Sequence, residues 1–218
     1  LSLSLLEDCG QHLAHQVAQI SELPPADRRG AASALVDIVL DNSNHYWLQK
    51  VAIHSLAYAD LYSEASAERK PFILDALSKA LVDPKRPYLV RAEAAWALGR
   101  IPLRPEVNVS LRVHEIVELA STMAKAQRQR PQAFYWTPSF EKLYLAFRPT
   151  NEAERNRNSG LLTKLERGEI SETHKNAIDS AYPLIVALTK TSIKNGPQAL
   201  PETIFSPLDG WLQANPAT

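Results

Sequence analysis

Apolar residues recur at spacings of three and four along almost the whole chain, the pattern of helices that bury one stripe and leave the rest to water. The first such stretch, 3–21, puts Leu6, Leu13, Val17 and Ile20 on one face and is broken by Leu23-Pro-Pro-Ala-Asp27. A second runs to about Asp41 through Ala34, Leu35, Ile38 and Val39. The turn Asn42-Ser-Asn44 follows, with side chains suited to an N-cap. A third extends to about Tyr62 through Leu48, Val51, Ala52, Leu56 and Ala59. The next pair, Phe72 to Val82 and Tyr88 to Ile101, is split by Asp83-Pro-Lys-Arg-Pro87 and closed by Pro102 and Pro105.

Glu106 to about Gln127 is a longer helix with Ile116, Leu119, Ala120 and Met123 on one stripe, and Pro131 ends that segment. Thr137-Pro138 reads as an N-cap followed by proline at the first helical position, opening a helix through Leu143, Tyr144 and Phe147. Beyond Pro149 the pattern weakens. The polar stretch 151–160 reads as the frayed start of a helix reaching Arg167, stopped by Gly168. Ser171 or Thr173 opens a helix to about Lys194, in which Pro183 predicts a kink or restart, and Asn195-Gly-Pro197 ends it. A short helix from Pro207 to Ala214 comes last. No segment alternates as a strand would, and seven glycines are few for tight hairpins. The fold class predicted is all-α, built from antiparallel helix pairs in one domain over 1–218.

A shift of 42 residues lays 31–59 on 73–101 without a gap. Ala34/Ala76, Leu35/Leu77, Asp41/Asp83, Tyr46/Tyr88, Ala52/Ala94 and Leu56/Leu98 are then identical. Val39/Leu81, Leu40/Val82, Trp47/Leu89, Leu48/Val90 and Ile53/Ala95 keep apolar character, so core positions, turn and terminating aspartate stay in register. The second copy contains Arg91-Ala-Glu-Ala-Ala-Trp-Ala-Leu-Gly-Arg-Ile101, preceded by Leu81-Val-Asp-Pro84. Its alanines allow close packing, and Gly99 can stop the helix or admit a neighbour. Asp83 is placed to accept backbone hydrogen bonds at the turn, with Arg91 near enough to pair with it.

This segment resembles the HEAT-repeat family, in particular the HEAT-like repeats of the phycobilisome-lyase type, whose second helix reads arginine, small residues, then Ala-Leu-Gly and an aliphatic residue. The likeness is good over about 20 residues and fair over 31–101. The first copy has Gln49 in place of the arginine and Ala57 in place of the glycine, and Asp83 and Arg91 stand about two residues further apart than usual. The resemblance implies a short α-solenoid or α-α superhelix. On that basis 106–147 forms a divergent third pair and 150–218 a C-terminal helical cap. It also implies a protein-interaction scaffold, as in most members, with chromophore attachment in a few.

Composition narrows the function. A chain of 218 residues, 45% hydrophobic and 22% charged, has the make-up of a globular domain. Basic and acidic residues balance at 24 each, which removes a global electrostatic case for nucleic acid or anionic membrane. The charge is uneven, however. Residues 1–65 hold three basic and eight acidic side chains, a balance of −5, and 66–130 hold twelve and seven, a balance of +5. Cys9 is the only cysteine, so no intrachain disulfide forms. No apolar run approaches the ~18 residues of a membrane span. The opening Leu1-Ser-Leu-Ser-Leu-Leu6 lacks a basic n-region and is not an intact signal peptide. With no initiator methionine, the expectation is a chain trimmed, processed or cut from something longer, and the compartment stays open between cytoplasm, which is favoured, and export.

Candidate chemistry is sparse. His12 and His15, with Asp8 and Cys9 one turn earlier, cluster on one helix, but one helix rarely closes a metal site. His114-Glu-Ile-Val-Glu118 has glutamate where a zinc-protease helix needs its second histidine. Lys125, Arg128 and Arg130 before Phe134-Tyr135-Trp136 have the residue types that grip single-stranded nucleic acid, but the favoured reading is a basic helix end followed by buried aromatics. Asn108-Val-Ser110 is a glycosylation sequon by pattern. No phosphate-binding glycine loop, nucleophile elbow or cysteine pair is present. The expectation is therefore a non-enzymatic scaffold with no catalytic, cofactor or metal residues, binding a protein or peptide through second-helix residues outside the apolar stripe. These are Gln49, Lys50, His54, Arg91, Glu93 and Arg100. Nucleic-acid binding through the basic 85–130 stretch is the alternative, and an enzyme with a pocket between helices a third reading.

Overall fold

The computed structural model describes residues 24–58, 72–156 and 159–217. The expected first helix with its His12, His15, Asp8 and Cys9 lies outside them, as does the end of the third. Among the described residues every regular element is helical. They are α1 (Pro25–Leu40), α2 (Tyr46–Tyr58), α3 (Phe72–Val82), α4 (Tyr88–Arg100), α5 (Val109–Gln129), α6 (Trp136–Phe147), α7 (Glu152–Asn156), α8 (Leu161–Glu166), a 3-10 turn (Glu172–His174), α9 (Lys175–Asn195) and α10 (Glu202–Ala214). None is long and apolar enough to cross a membrane.

The helices pack in two rows. In one, α1 lies against α3, α3 against α5 and α5 against α10. In the other, α2 lies against α4, α4 against α6 and α6 against α9. Within each pair the partners touch across the rows: α1 with α2, α3 with α4, α5 with α6, and α10 with α9. The core runs between them, from Val39, Leu56 and Leu77 through Leu98, Ile116 and Phe140 to Ile185 and Leu208. The most enclosed element is α4, buried along its whole length from Val90 to Arg100.

The 42-residue register has a structural counterpart at the turns. Asp41 Oδ1 accepts from the Ser43 amide at 2.8 Å, and Asp83 Oδ1 from the Lys85 amide at 3.0 Å. The backbone bonds from Asp41 to Asp37, Asn44 to Asp41, Leu48 to His45 and Gln49 to His45 recur from Asp83 to Lys79, Arg86 to Asp83, Val90 to Pro87 and Arg91 to Pro87. The two turns are joined by Asn42 Nδ2, which donates to Asp83 Oδ2 at 3.1 Å. The expected Asp83–Arg91 pair does not form. Arg86 Nε stands 3.3 Å from Asp83, and Arg91 Nε donates to the Leu81 carbonyl at 2.8 Å, satisfying an end carbonyl of α3.

Other sequence expectations shift for physical reasons. Leu48, expected in the core, is 43% exposed although its counterpart Val90 is buried. Val90 sits in α4, which has α2 and α6 on either side, whereas α2 meets only α4 within its row among the described residues. α6 begins at Trp136, so Thr137 and Pro138 fall inside its first turn, where proline removes an amide that has no helical partner anyway. Instead of capping, the Thr137 hydroxyl meets Ser192 Oγ at 3.0 Å. The helix expected to reach Arg167 is two short ones parted by Gly160, whose φ of +93° no other residue adopts readily. α9 runs uninterrupted through Pro183, and α10 begins at Glu202 with Pro207 inside it.

A lysine is among the polar side chains sunk in this packing. Lys164 on α8 is fully buried, and its Nζ donates to the carbonyls of Gly99 and Ile101, both at 2.6 Å, closing the C-terminal end of α4. Burial pulls its pKa down to about 7, Glu169 partly offsetting and Arg100 adding to the fall. A neutral amine still carries the two protons those carbonyls take. Since the unfolded lysine titrates near ~10.4, the unfolded state binds more protons between about pH 7 and pH 10, and stability rises with pH across that window. From pH 7 to 9 the wild type should gain about 2 kcal/mol relative to Lys164→Met by urea denaturation. Parallel pH profiles for the two proteins would refute this.

Candidate functional site

The second-row helices α2, α4 and α6 bring one charged cluster together. Trp47, Lys50 and His54 fall at helical spacing on one face of α2, Glu93 and Trp96 stand one turn apart on α4, and Lys142 comes from α6. Glu93 is 2% exposed. Its Oε1 takes a hydrogen bond from Lys142 Nζ at 2.8 Å and lies 3.1 Å from His54 Nδ1, and Lys50 Nζ lies 3.9 Å from Oε2. Trp96 packs against His54 and Lys142. The His54 ring stacks on it at 4.8 Å, and Lys142 Nζ sits 4.3 Å from its centroid. Lys50 Nζ is 5.2 Å from the Trp47 ring, which is 43% exposed.

Burial pulls the Glu93 carboxyl upward more than any other single influence. The His54 hydrogen bond and the charge and hydrogen bond of Lys142 together outweigh it, so the group stays below the usual glutamate range. Burial lowers Lys50, the nearby Lys142 pushes the same way, and Glu93 partly restores it. One carboxylate thus faces two lysines and a histidine. The lysines alone leave the cluster net positive, and the side chains of Lys50, Lys142 and His54 are 22%, 27% and 37% exposed. Among the described residues no group of histidine, cysteine and carboxylate side chains could hold a metal ion.

The six residues expected to face a partner are divided by the fold. Lys50 and His54 lie in the half-exposed cluster, with Glu93 as its buried anchor. Gln49 is turned inward, donating to the Asn44 carbonyl at 2.8 Å and accepting from Arg86 Nη1 at 2.5 Å. Arg86 also donates to the carbonyls of Val39 and Leu40 at the end of α1. Arg91 and Arg100 are buried, so neither side chain is presented to a partner. Helical periodicity separates apolar from polar positions, but it cannot tell a polar side chain in water from one bonded to a neighbouring helix.

Trp47, Trp96 and Lys142 were not singled out from the sequence. Trp47 stands three residues before Lys50, and Trp96 three after Glu93, a local signal that could have added both rings. Lys142 is 49 residues from Glu93, and only the α4–α6 packing joins them.

Among the described residues, most of the remaining candidates have structural partners. His114 Nδ1 contacts the Asn215 carbonyl at 2.6 Å, fastening the end of α10 to α5. Lys125 pairs with Asp209 at 2.7 Å, Arg128 lies over Phe205, and Trp136 Nε1 donates to the Arg130 carbonyl at 2.7 Å, while Phe134 is 81% exposed. Asn108 is the N-cap of α5, accepting from the Leu111 amide, and the Ser110 hydroxyl meets His174 Nδ1 at 2.8 Å. In the 85–130 stretch, Arg86, Arg91 and Arg100 are buried, and Arg104 and Arg112 pair with Glu106 and Glu115. No protein-family model matches the chain, and comparison with curated proteins and with solved structures gives no match either.

Proposed function

We propose that this protein is a non-enzymatic, HEAT-like helical-repeat scaffold that binds an acidic protein or peptide segment on the face formed by α2, α4 and α6. The two rows of helices and the turn built twice at a 42-residue interval support the repeat reading. The observation that carries the binding reading is the cluster itself. Lys50, His54 and Lys142 are held in place by one buried carboxylate, and Lys50 borders an exposed tryptophan, Trp47. Side chains already ordered lose less entropy when a partner binds, and a basic patch beside an aromatic anchor matches what interfaces favour. Nucleic-acid binding has less support, because many cations of 85–130 are used inside the fold.

The test is selection from a displayed library of random 12-residue peptides. Enriched sequences should be acidic. Trp47→Ala combined with Lys50→Gln, which leaves Lys142 and His54 to hold Glu93, should weaken their binding at least about tenfold, or ~1.4 kcal/mol. Enrichment no better than on bare matrix, or binding that ignores the double variant, would overturn the proposal.

A further inference from the structure

A groove of about 380 Å³ lies between α6 and α9, bordering the cluster because Lys142 and Leu145 are one turn apart on α6. Tyr144 and Leu145 line one wall, and Val186 and Ile193 the other. Ile193 is 56% exposed, a large apolar side chain left to solvent. Thr189, which also lines the groove, bonds its hydroxyl to the carbonyls of Ile185 and Phe140, so its polar atom is already engaged. Glu141 and Lys190 bring one charge of each sign, leaving the groove neutral and chiefly apolar beside a basic cluster. Its volume is at the small end for ligand sites and suits a side chain with a short length of backbone.

Resting on the function proposed above, we infer that the groove is a second subsite, taking an apolar side chain of the same acidic peptide. The charge decides the occupant, since the acidic part docks on Lys50, His54 and Lys142, whereas in the adjoining groove Glu141 and Lys190 offset each other and the rest of the lining is chiefly apolar. The spacing follows from helix packing. Neighbouring helices lie about 8–10 Å apart, and extended chain advances about 3.3 Å per residue, so the apolar residue follows or precedes the acidic block by about three positions.

Three fluorescein-labelled peptides test this by anisotropy: four glutamates with leucine three residues away, the same with alanine for leucine, and the leucine peptide with glutamines for the glutamates. The leucine peptide should bind at least fivefold tighter than the alanine peptide. Val186→Trp, which fills the groove, or Ile193→Ser, which removes part of its wall, should erase that advantage and leave the alanine peptide's affinity unchanged. Equal affinity of the leucine and alanine peptides, both still tighter than the glutamine peptide, would overturn the subsite alone. A glutamine peptide that binds as well as the leucine peptide, or no binding by any of the three, would overturn the acidic-partner reading beneath it.

Discussion

Gly99→Ala should lower the stability of this protein by about 3 kcal/mol, the upper end of what overpacking usually costs. A Cβ at Gly99 would stand 2.7 Å from both the Cα and the carbonyl carbon of Ala146 and closer still to its oxygen. These are backbone atoms of α6, and no rotamer change moves them. α6 cannot simply retreat, because α9 packs against it from the far side. The same position is bound on its other flank, where the Gly99 carbonyl accepts from the Gly160 amide at 2.9 Å and from Lys164. Widening the α4–α6 contact would also pull Lys142 from Glu93, so peptide binding should fall with stability. Gly30→Ala is the internal control. It lies within α1 with nothing near its added methyl, and there alanine should stabilise by up to ~1 kcal/mol through helix propensity. Urea denaturation of the two variants decides the point. Gly99→Ala melting with the wild type would show that the close approach is not a constraint.

That glycine was legible in the sequence, as were the alanines around it, because small residues in a helix interior predict close packing. The 42-residue register was legible too, down to the paired aspartates, since an Asp at the end of one helix has few roles other than holding the turn. What could not be read was which helix each polar side chain would meet. Arg91 and Arg86 are both arginines near Asp83 in sequence, and only the direction of α4 sends Arg91 back to Leu81 and leaves Arg86 beside the aspartate. Lys164 lies in a segment whose periodicity had faded, and its burial depends on Gly160 turning the chain against α4. Lys142 reads as one more exposed lysine of an amphipathic helix until α6 is set against α4. Local rules reach the helices, and the site is assembled by contacts between them.

Glu93→Ala should cost about 3 kcal/mol at pH 7. Removing one member of a buried ion cluster commonly costs about 3–5 kcal/mol, because the charges left behind keep their desolvation without their partner. The lower figure applies since Lys50, His54 and Lys142 each retain part of their surface in water and can turn outward. The pH dependence gives a sharper signature. The folded carboxyl titrates below its unfolded value, so its stabilising contribution is whole above about pH 4.3 and is lost as pH falls through the folded pKa. Wild type and Glu93→Ala should therefore differ most near neutrality and converge in acid. A second comparison separates this ion cluster from mere loss of volume. In a Lys142→Met background the cost of Glu93→Ala should shrink by about 1–2 kcal/mol, the coupling expected of charges in direct contact. A constant cost across pH and background would mean that Glu93 fills space there, and the cluster would lose its claim to hold the cations ready for a partner.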